Sequence, residues 1–260
     1  MELKDKVISL YKQGYSTRSI SNLSHITRYR VNKYIKDSGE KIRNLSESHK
    51  KFKYIEDYFS IIDTERKAYF LGLLYADGNI CIINRKRLQI TLKNEDKYIL
   101  EELLKELGDG NLYRDGLLYS KIIIHNDKLV EDLINLGCTP RKSLTLKFYS
   151  NTIPVELVNH FIRGYFDGDG SVGKLAKKGY VVSFSGMELF LKDMLELCPH
   201  ILFSKFYPRY KNKFSAGSMN YYDSYKKGFI FFNYLYKNAT IYMKRKYLKM
   251  KKIIDANKDI

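Results

Sequence analysis

Apolar positions along this chain recur first at helical spacing and then in an alternation of helical and strand patterns. Leu3, Val7, Ile8 and Tyr11 lie on one helical face, and Gly14 follows as a stop. Ser16 is placed to cap a second helix containing Ile20, and Leu23 to Ile26 form a short turn. Thr27 is placed to cap a third helix that turns Val31, Tyr34 and Ile35 inward and leaves Arg28, Arg30 and Lys33 outward. This pattern resembles a helix-turn-helix, whose last helix enters the major groove. Residues 38–53 are polar and basic and read as a linker able to lie along phosphates.

Beyond it the pattern predicts a helix from about Thr64 to Asp77, ended by Gly78 as a left-handed cap. A strand follows, then a turn at Asn84-Arg85-Lys86, a strand from Arg87 to Lys93 and a helix from Glu95 to Leu107. A strand pair turning at Asp115-Gly116 and a helix from Asp127 to Leu136 complete the unit. The same order restarts at Pro154, with a longer second hairpin around Lys205 to Tyr225. The expected fold class is therefore α+β: two αββαββα units, residues 54–141 and 142–260, behind a small all-α module at 1–37.

The two units are a duplication. Phe70-Leu71-Gly72-Leu73-Leu74-Tyr75-Ala76-Asp77-Gly78 is matched 92 residues later by Ile162-Arg163-Gly164-Tyr165-Phe166-Asp167-Gly168-Asp169-Gly170. At the same offset Leu88, Ile90 and Leu92 match Tyr180, Val182 and Phe184, and Tyr98, Ile99 and Leu103 match Phe190, Leu191 and Leu195. Gly72 and Ala76 form a small-residue stripe, as do Gly164 and Gly168, so the two helices are expected to pack closely about a pseudo-twofold axis. Asp77 and Asp169 then end their helices side by side, where the macrodipole is already negative. Hard divalent cations held by both carboxylates, and by the carbonyls of Ala76 and Gly168, would offset that repulsion. Such a pair beside a basic groove suits phosphodiester cleavage. An EF-hand reading of Asp167 to Ser171 fails, because the sixth loop position is Val172 and the twelfth Lys178.

These two segments resemble the paired motifs of the LAGLIDADG homing endonucleases in their single-chain form, over roughly Tyr54 to Lys252. Gly137 to Ser143 and Leu235 to Tyr242 are similar to that family as well. The resemblance implies a saddle of two antiparallel sheets straddling double-stranded DNA, Mg2+ as cofactor, and cleavage of both strands across the minor groove. It implies Asp77 and Asp169 as the catalytic acids, each kept with its following glycine. A basic residue from each half assists in that family, and Lys142 and Lys244 take that place here by following the last helix of each half.

The strand pattern supplies a nucleic-acid face without the family. Arg85, Arg87, Gln89, Thr91 and Lys93 share one side of their hairpin, as do Lys121 and His125 in the next. In the second half Lys205, Tyr207, Arg209 and Lys211 share a face. Such side chains reach phosphates and base edges. The formal charge of +17 and pI near 9.5 agree, since a polyanion is the expected partner of so basic a chain.

Cys81, Cys138 and Cys198 are too far apart for a zinc or disulfide framework, so thiols in a reducing compartment are expected. The start, Met1 to Asp5, has no apolar signal run, and no membrane-spanning stretch is present, which predicts a cytoplasmic protein with no membrane partner. With both halves in one chain, a monomer is expected. The leading function is a site-specific homing endonuclease. The alternative is a non-cleaving regulator or intron maturase on the same fold, with intron RNA as partner, although a pure binder has no need of two repelling aspartates. An intein remnant is disfavoured because the chain ends Asn257-Lys258-Asp259-Ile260.

Overall fold

The computed structural model describes residues 3–13, 15–42, 53–142, 146–148, 150–175, 179–198, 201, 203–208, 217–224 and 229–255. The chain divides into two compact units, Met1–Lys53 and Tyr54–Ile260.

The first unit holds three helices, α1 (Leu3–Lys12), α2 (Thr17–Ser24) and α3 (Arg28–Asp37). Ser16 and Thr27 cap the second and third, each oxygen accepting from the backbone N–H three residues on. Its core is Val7, Tyr11, Ile20, Val31 and Ile35, with Leu10, Ile26 and Tyr34 packed against them. Leu3, expected on the inner face, is 40% exposed, and Ile8 is only half-buried, while Leu10 packs against the core. The turn between α2 and α3 is tighter than the sequence suggests. Leu23 and Ser24 stay helical, and His25 alone reverses the chain at φ 50°. Gly14 lies outside the described residues, as does most of the linker at 43–52.

The second unit opens with α4 (Glu65–Asp77), β1 (Gly78–Cys81), β2 (Arg87–Lys93), α5 (Lys97–Leu107), β3 (Leu112–Asp115), β4 (Tyr119–Ile124) and α6 (Asp127–Asn135). The order then repeats as α7 (Val158–Asp169), β5 (Gly170–Leu175), β6 (Gly179–Gly186), α8 (Glu188–Leu195), β7 (Tyr207–Pro208), β8 (Gly217–Ser224) and α9 (Phe229–Tyr236), with α10 (Lys244–Asp255) appended. The strands form two antiparallel sheets of matching order, β1-β2-β4-β3 and β5-β6-β8-β7. This is the two-unit α+β architecture that the strand and helix periods predict.

Alternation places one face of each sheet in the core. Leu88, Ile90 and Leu92 are buried along β2, and their repeat partners Tyr180, Val182 and Phe184 are buried along β6. Ile122 and Ile124 extend the apolar layer on β4, Met219 and Tyr221 on β8. Burial of each such side chain stabilises the fold by about 1.5–3 kcal/mol, so these layers hold the sheets on α4 and α7. No helix among the described residues is long and apolar enough to cross a membrane.

The two halves meet where α4 and α7 cross. A Cβ added to Gly72 would lie 2.0 Å from the carbonyl oxygen of Phe161 and 2.9 Å from the amide of Tyr165. One added to Gly164 would lie 2.0 Å from the oxygen of Tyr69 and 2.8 Å from the amide of Leu73. Tyr69 and Phe161, like Leu73 and Tyr165, are 92 residues apart, so each contact is the other's image. That reciprocity is the mark of an isologous, twofold-like interface within one chain.

Backbone sits where the methyl would go, so neither helix can yield by rotating a side chain. Gly164→Ala is expected to lower unfolding free energy by about 2 kcal/mol or more, measured by denaturant titration.

Candidate active site

Asp77 is the last residue of α4 and Asp169 the last of α7. Each is followed by a glycine that starts a strand at once. Gly78 has φ −71° and ψ 142°, and Gly170 φ −91° and ψ 158°, so both are extended rather than left-handed as the cap pattern suggested. The glycine is needed for a different reason. Its N–H still bonds the carbonyl four residues back, Leu74 or Phe166, and a Cβ would lie 2.5 Å from that oxygen.

The small-residue stripe brings the two helix ends into contact. A Cβ on Gly168 would sit 2.2 Å from Ala76 Cβ and 3.1 Å from Asp77 Oδ2. Burial pushes the Asp77 carboxyl up to about 6, and the charge of Asp169 adds to the rise, while Lys246, Lys142 and Arg245 oppose it. Two partly buried carboxylates thus share one end of the helix pair. Hard oxygen donors of this kind fit Mg2+ or another hard divalent cation. Among the described residues no group of three or more His, Cys, Asp and Glu side chains converges, so the acidic donors there are this pair.

The carbonyls named with them carry lysines. Lys142 Nζ donates to Ala76 O at 2.7 Å, and Lys246 Nζ donates to Gly168 O at 3.1 Å. Ala76 and Gly168 are again 92 apart, so the two lysines occupy equivalent places. A carbonyl oxygen has two lone pairs and keeps one for a second partner. Lys246 also donates to the carbonyls of Phe166 and Gly170, each at 2.6 Å. Burial lowers its pKa to about 8, although the neighbouring carboxylates, Asp167 first, favour the charged form. Burial also lowers that of Lys142, against Cys138, Asp169 and Asp77.

Lys244, the residue read from the sequence, is not at this place. It is exposed, its ammonium 5.1 Å from the centre of the Tyr98 ring, and Lys246 replaces it in the second half. The 92-residue offset fails here because the two halves differ in length before their lysines. A second signal was present in the sequence. Lys246, Met250 and Ile254 are spaced by four and all are buried, so they form the inner stripe of α10, which Lys244 does not join. Asp167 and Tyr69 also escaped the sequence reading. The Tyr69 hydroxyl donates to Asp167 Oδ2 at 2.8 Å in the core.

The segment before α10 is tied to both halves. Glu65 on α4 accepts from the guanidinium of Arg163 at 2.7 Å, from Thr240 N at 2.6 Å and from Thr240 Oγ at 2.8 Å. Arg163, fully buried, also donates to the carbonyls of Leu235 and Ile241. The Tyr98 hydroxyl donates to Tyr242 O and accepts from Lys244 N, and Arg245 pairs with Asp96 at 2.6 Å.

The outer face of the first sheet carries the polar residues expected of it. Arg87 and Lys93 are exposed, Gln89 and Thr91 half-buried, and Thr91 pairs in register with Lys121. Arg85 and His125 are exposed nearby. Partial burial lowers the pKa of His125, and the charges of Arg85 and Arg87 lower it further. The face is less uniformly cationic than its strand pattern suggested. Lys121 pairs with Asp115 at 3.0 Å, and Lys93 lies 3.9 Å from Glu95. In the second half Lys205 and Tyr207 are exposed, while Arg209 and Lys211 lie outside the described residues. In the N-terminal unit Arg28, Arg30 and Lys33 are exposed on α3. Arg28 donates to Thr17 Oγ at 3.2 Å and Arg30 to the Tyr34 hydroxyl at 3.5 Å.

Residues 156–224 match the family described as LAGLIDADG-like domain. An uncharacterized protein of Methanocaldococcus jannaschii, MJ0314, is 26% identical over 140 residues, covering 52% of each chain. The chain therefore spans about half the length of the curated relative it matches. Among solved structures, Meganuclease I-SmaMI bound to uncleaveable DNA superposes with a TM-score of 0.52 at 12% identity, covering 75% of this chain and 88% of that one. LAGLIDADG Meganuclease I-AabMI bound to uncleaved DNA gives 0.51 at 12% identity, covering 75% and 91%. The shared fold is that of these two proteins.

The aspartate pair has a consequence for stability. A carboxyl raised from its ordinary value of 3.8 to about 6 destabilises the folded state once pH exceeds the unfolded value, and the cost is complete above the folded one. In metal-free buffer, Asp77→Asn is expected to stabilise the protein at pH 8 by roughly 2 kcal/mol. The gain should shrink as pH falls below 6 and vanish near 4. Thermal unfolding of both proteins across that range checks it.

Proposed function

We propose that this chain, which carries a LAGLIDADG-like domain and has the LAGLIDADG fold, is a site-specific endonuclease that hydrolyses both strands of a DNA duplex. The observation that carries this reading is the pair of aspartates at touching helix ends, each flanked by a lysine that donates to the carbonyl just before it, Lys142 half-buried and Lys246 buried. A protein that only bound DNA would gain nothing from such a repelling pair.

Asp77 and Asp169 would hold divalent cations, Mg2+ first among them, with the carbonyls of Ala76 and Gly168 as further oxygen donors. Cations there would supply positive charge at the scissile phosphates and a more acidic water. Lys142 and Lys246 place one ammonium on each side of the aspartate pair, where charge develops on the phosphate oxygens. The pseudo-twofold matches one such half-site to each strand, so a single chain suffices and a monomer is the working form.

Arg85, Arg87, Gln89, Thr91, Lys93, Lys121 and His125 on the first sheet, with Lys205 and Tyr207 on the second, would contact base edges and phosphates. The N-terminal unit, read as a helix-turn-helix, would add phosphate contacts through Arg28, Arg30 and Lys33. A long composite target of this kind suits a homing endonuclease.

Plasmid carrying the target should become linear only when a divalent cation is present. Asp77→Asn or Asp169→Asn should cut double-strand cleavage by at least about a thousandfold and leave DNA affinity nearly intact. Full-rate cleavage by either variant would rule the site out. Replacing Arg28, Arg30 and Lys33 by Ala should weaken binding and flatten the slope of log K against log salt by about 2–3 units, with the rate of the chemical step unchanged. Titrations at several salt concentrations measure this.

A further inference from the structure

The segments that lead to the two site lysines are each anchored by a buried side chain of the helix pair. In the first half the Tyr75 hydroxyl donates to the carbonyl of Leu136, in the segment that leads to Lys142. In the second half Asp167 Oδ2 accepts from the backbone N–H of Met243, in the segment that leads to Lys246. Tyr75 and Asp167 are 92 residues apart, as are the carbonyls their lysines bind, Ala76 and Gly168. One slot of the repeat, the third residue from the helix end, therefore does one task by two chemistries: a hydroxyl that donates, and a carboxylate that accepts.

Neither side chain is explained by packing alone. The Tyr75 ring stacks edge-on against Phe161 with centroids 5.1 Å apart, a contact phenylalanine would make as well. Asp167 is fully buried, and its Oδ1 has no hydrogen-bond partner in the structure. A buried, half-satisfied carboxylate is costly, and an apolar residue would pack there more cheaply. Its other oxygen holds Met243 and Tyr69, and the charge lies close enough to favour protonated Lys246.

We infer that Tyr75 and Asp167 are positioning residues, each seating the lysine of its own half against the end of its own helix. The inference rests on the lysine roles proposed above, but its test does not need cleavage. The folded, metal-free protein is treated with limiting acetic anhydride, and acetylation of Lys142 and Lys246 is read by peptide mass spectrometry against exposed Lys249. Tyr75→Phe keeps the ring and should raise Lys142 labelling about tenfold, the scale of one lost hydrogen bond, with Lys246 unchanged. Asp167→Ala should do the reverse. Asp167→Asn, which keeps an acceptor for Met243 and loses only the charge that favours the Lys246 ammonium, should raise Lys246 labelling by clearly less than Asp167→Ala does.

Both lysines rising together in either single variant would mean general loosening and overturn the assignment. So would labelling that stays flat in both, or Asp167→Asn behaving like Asp167→Ala. If Asp167→Ala does not fold, Tyr75→Phe and Asp167→Asn still decide. A parallel plasmid assay should show nicked circles accumulating in Tyr75→Phe and in Asp167→Ala, because only one strand's lysine is displaced. Selective labelling without any cleavage in the parent protein would keep this inference and sink the nuclease reading alone.

Discussion

Everything at the candidate site depends on two helices approaching until backbone touches backbone. Gly72 faces the carbonyl of Phe161 and Gly164 that of Tyr69, at distances no side chain could occupy. With any larger residue the axes would separate by more than an ångström, and Asp77 and Asp169 would part with them. The close crossing sets the carboxylates side by side, and that proximity creates both the repulsion and the suitability for cations. Structure and chemistry are here one constraint. The sheets, built outward from each helix by strands that begin directly at Gly78 and Gly170, inherit their placement from it.

Much of this was legible in the sequence because duplication tests itself. One small-residue stripe is weak, but Gly72 and Ala76 repeated as Gly164 and Gly168 at a constant offset point to a shared axis. Period-two alternation assigned Leu88, Ile90 and Leu92 inward, and their partners 92 residues on are buried with them. The failures arose where local pattern was a poor guide to tertiary context. Gly78 reads as a left-handed cap from composition, yet the chain runs straight into a strand. Lys244 is picked out by its place after the last helix of its half, while the inner stripe of α10, which holds Lys246, is set by what it packs against. Asp167 could not be read as a core residue, because a buried carboxylate is the exception for its type.

The N-terminal unit obeys its own local rules. Two capping hydroxyls and five buried apolar residues account for three short helices, and nothing in that account needs the rest of the chain. Its Arg28, Arg30 and Lys33 are exposed and take no part in that core.

The Glu65–Arg163 pair has an implication for how the duplicated halves are related. The partner positions 92 residues away are Leu157 and Leu71, so the ion pair has no mirror image across the axis. Two copies of the second half joined to each other would bury two guanidiniums with no carboxylate opposite, a cost of several kcal/mol per charge. Two copies of the first would leave Glu65 without its arginine. Whatever symmetric ancestor the repeat descends from, this lock has a single orientation, and it commits each half to the other.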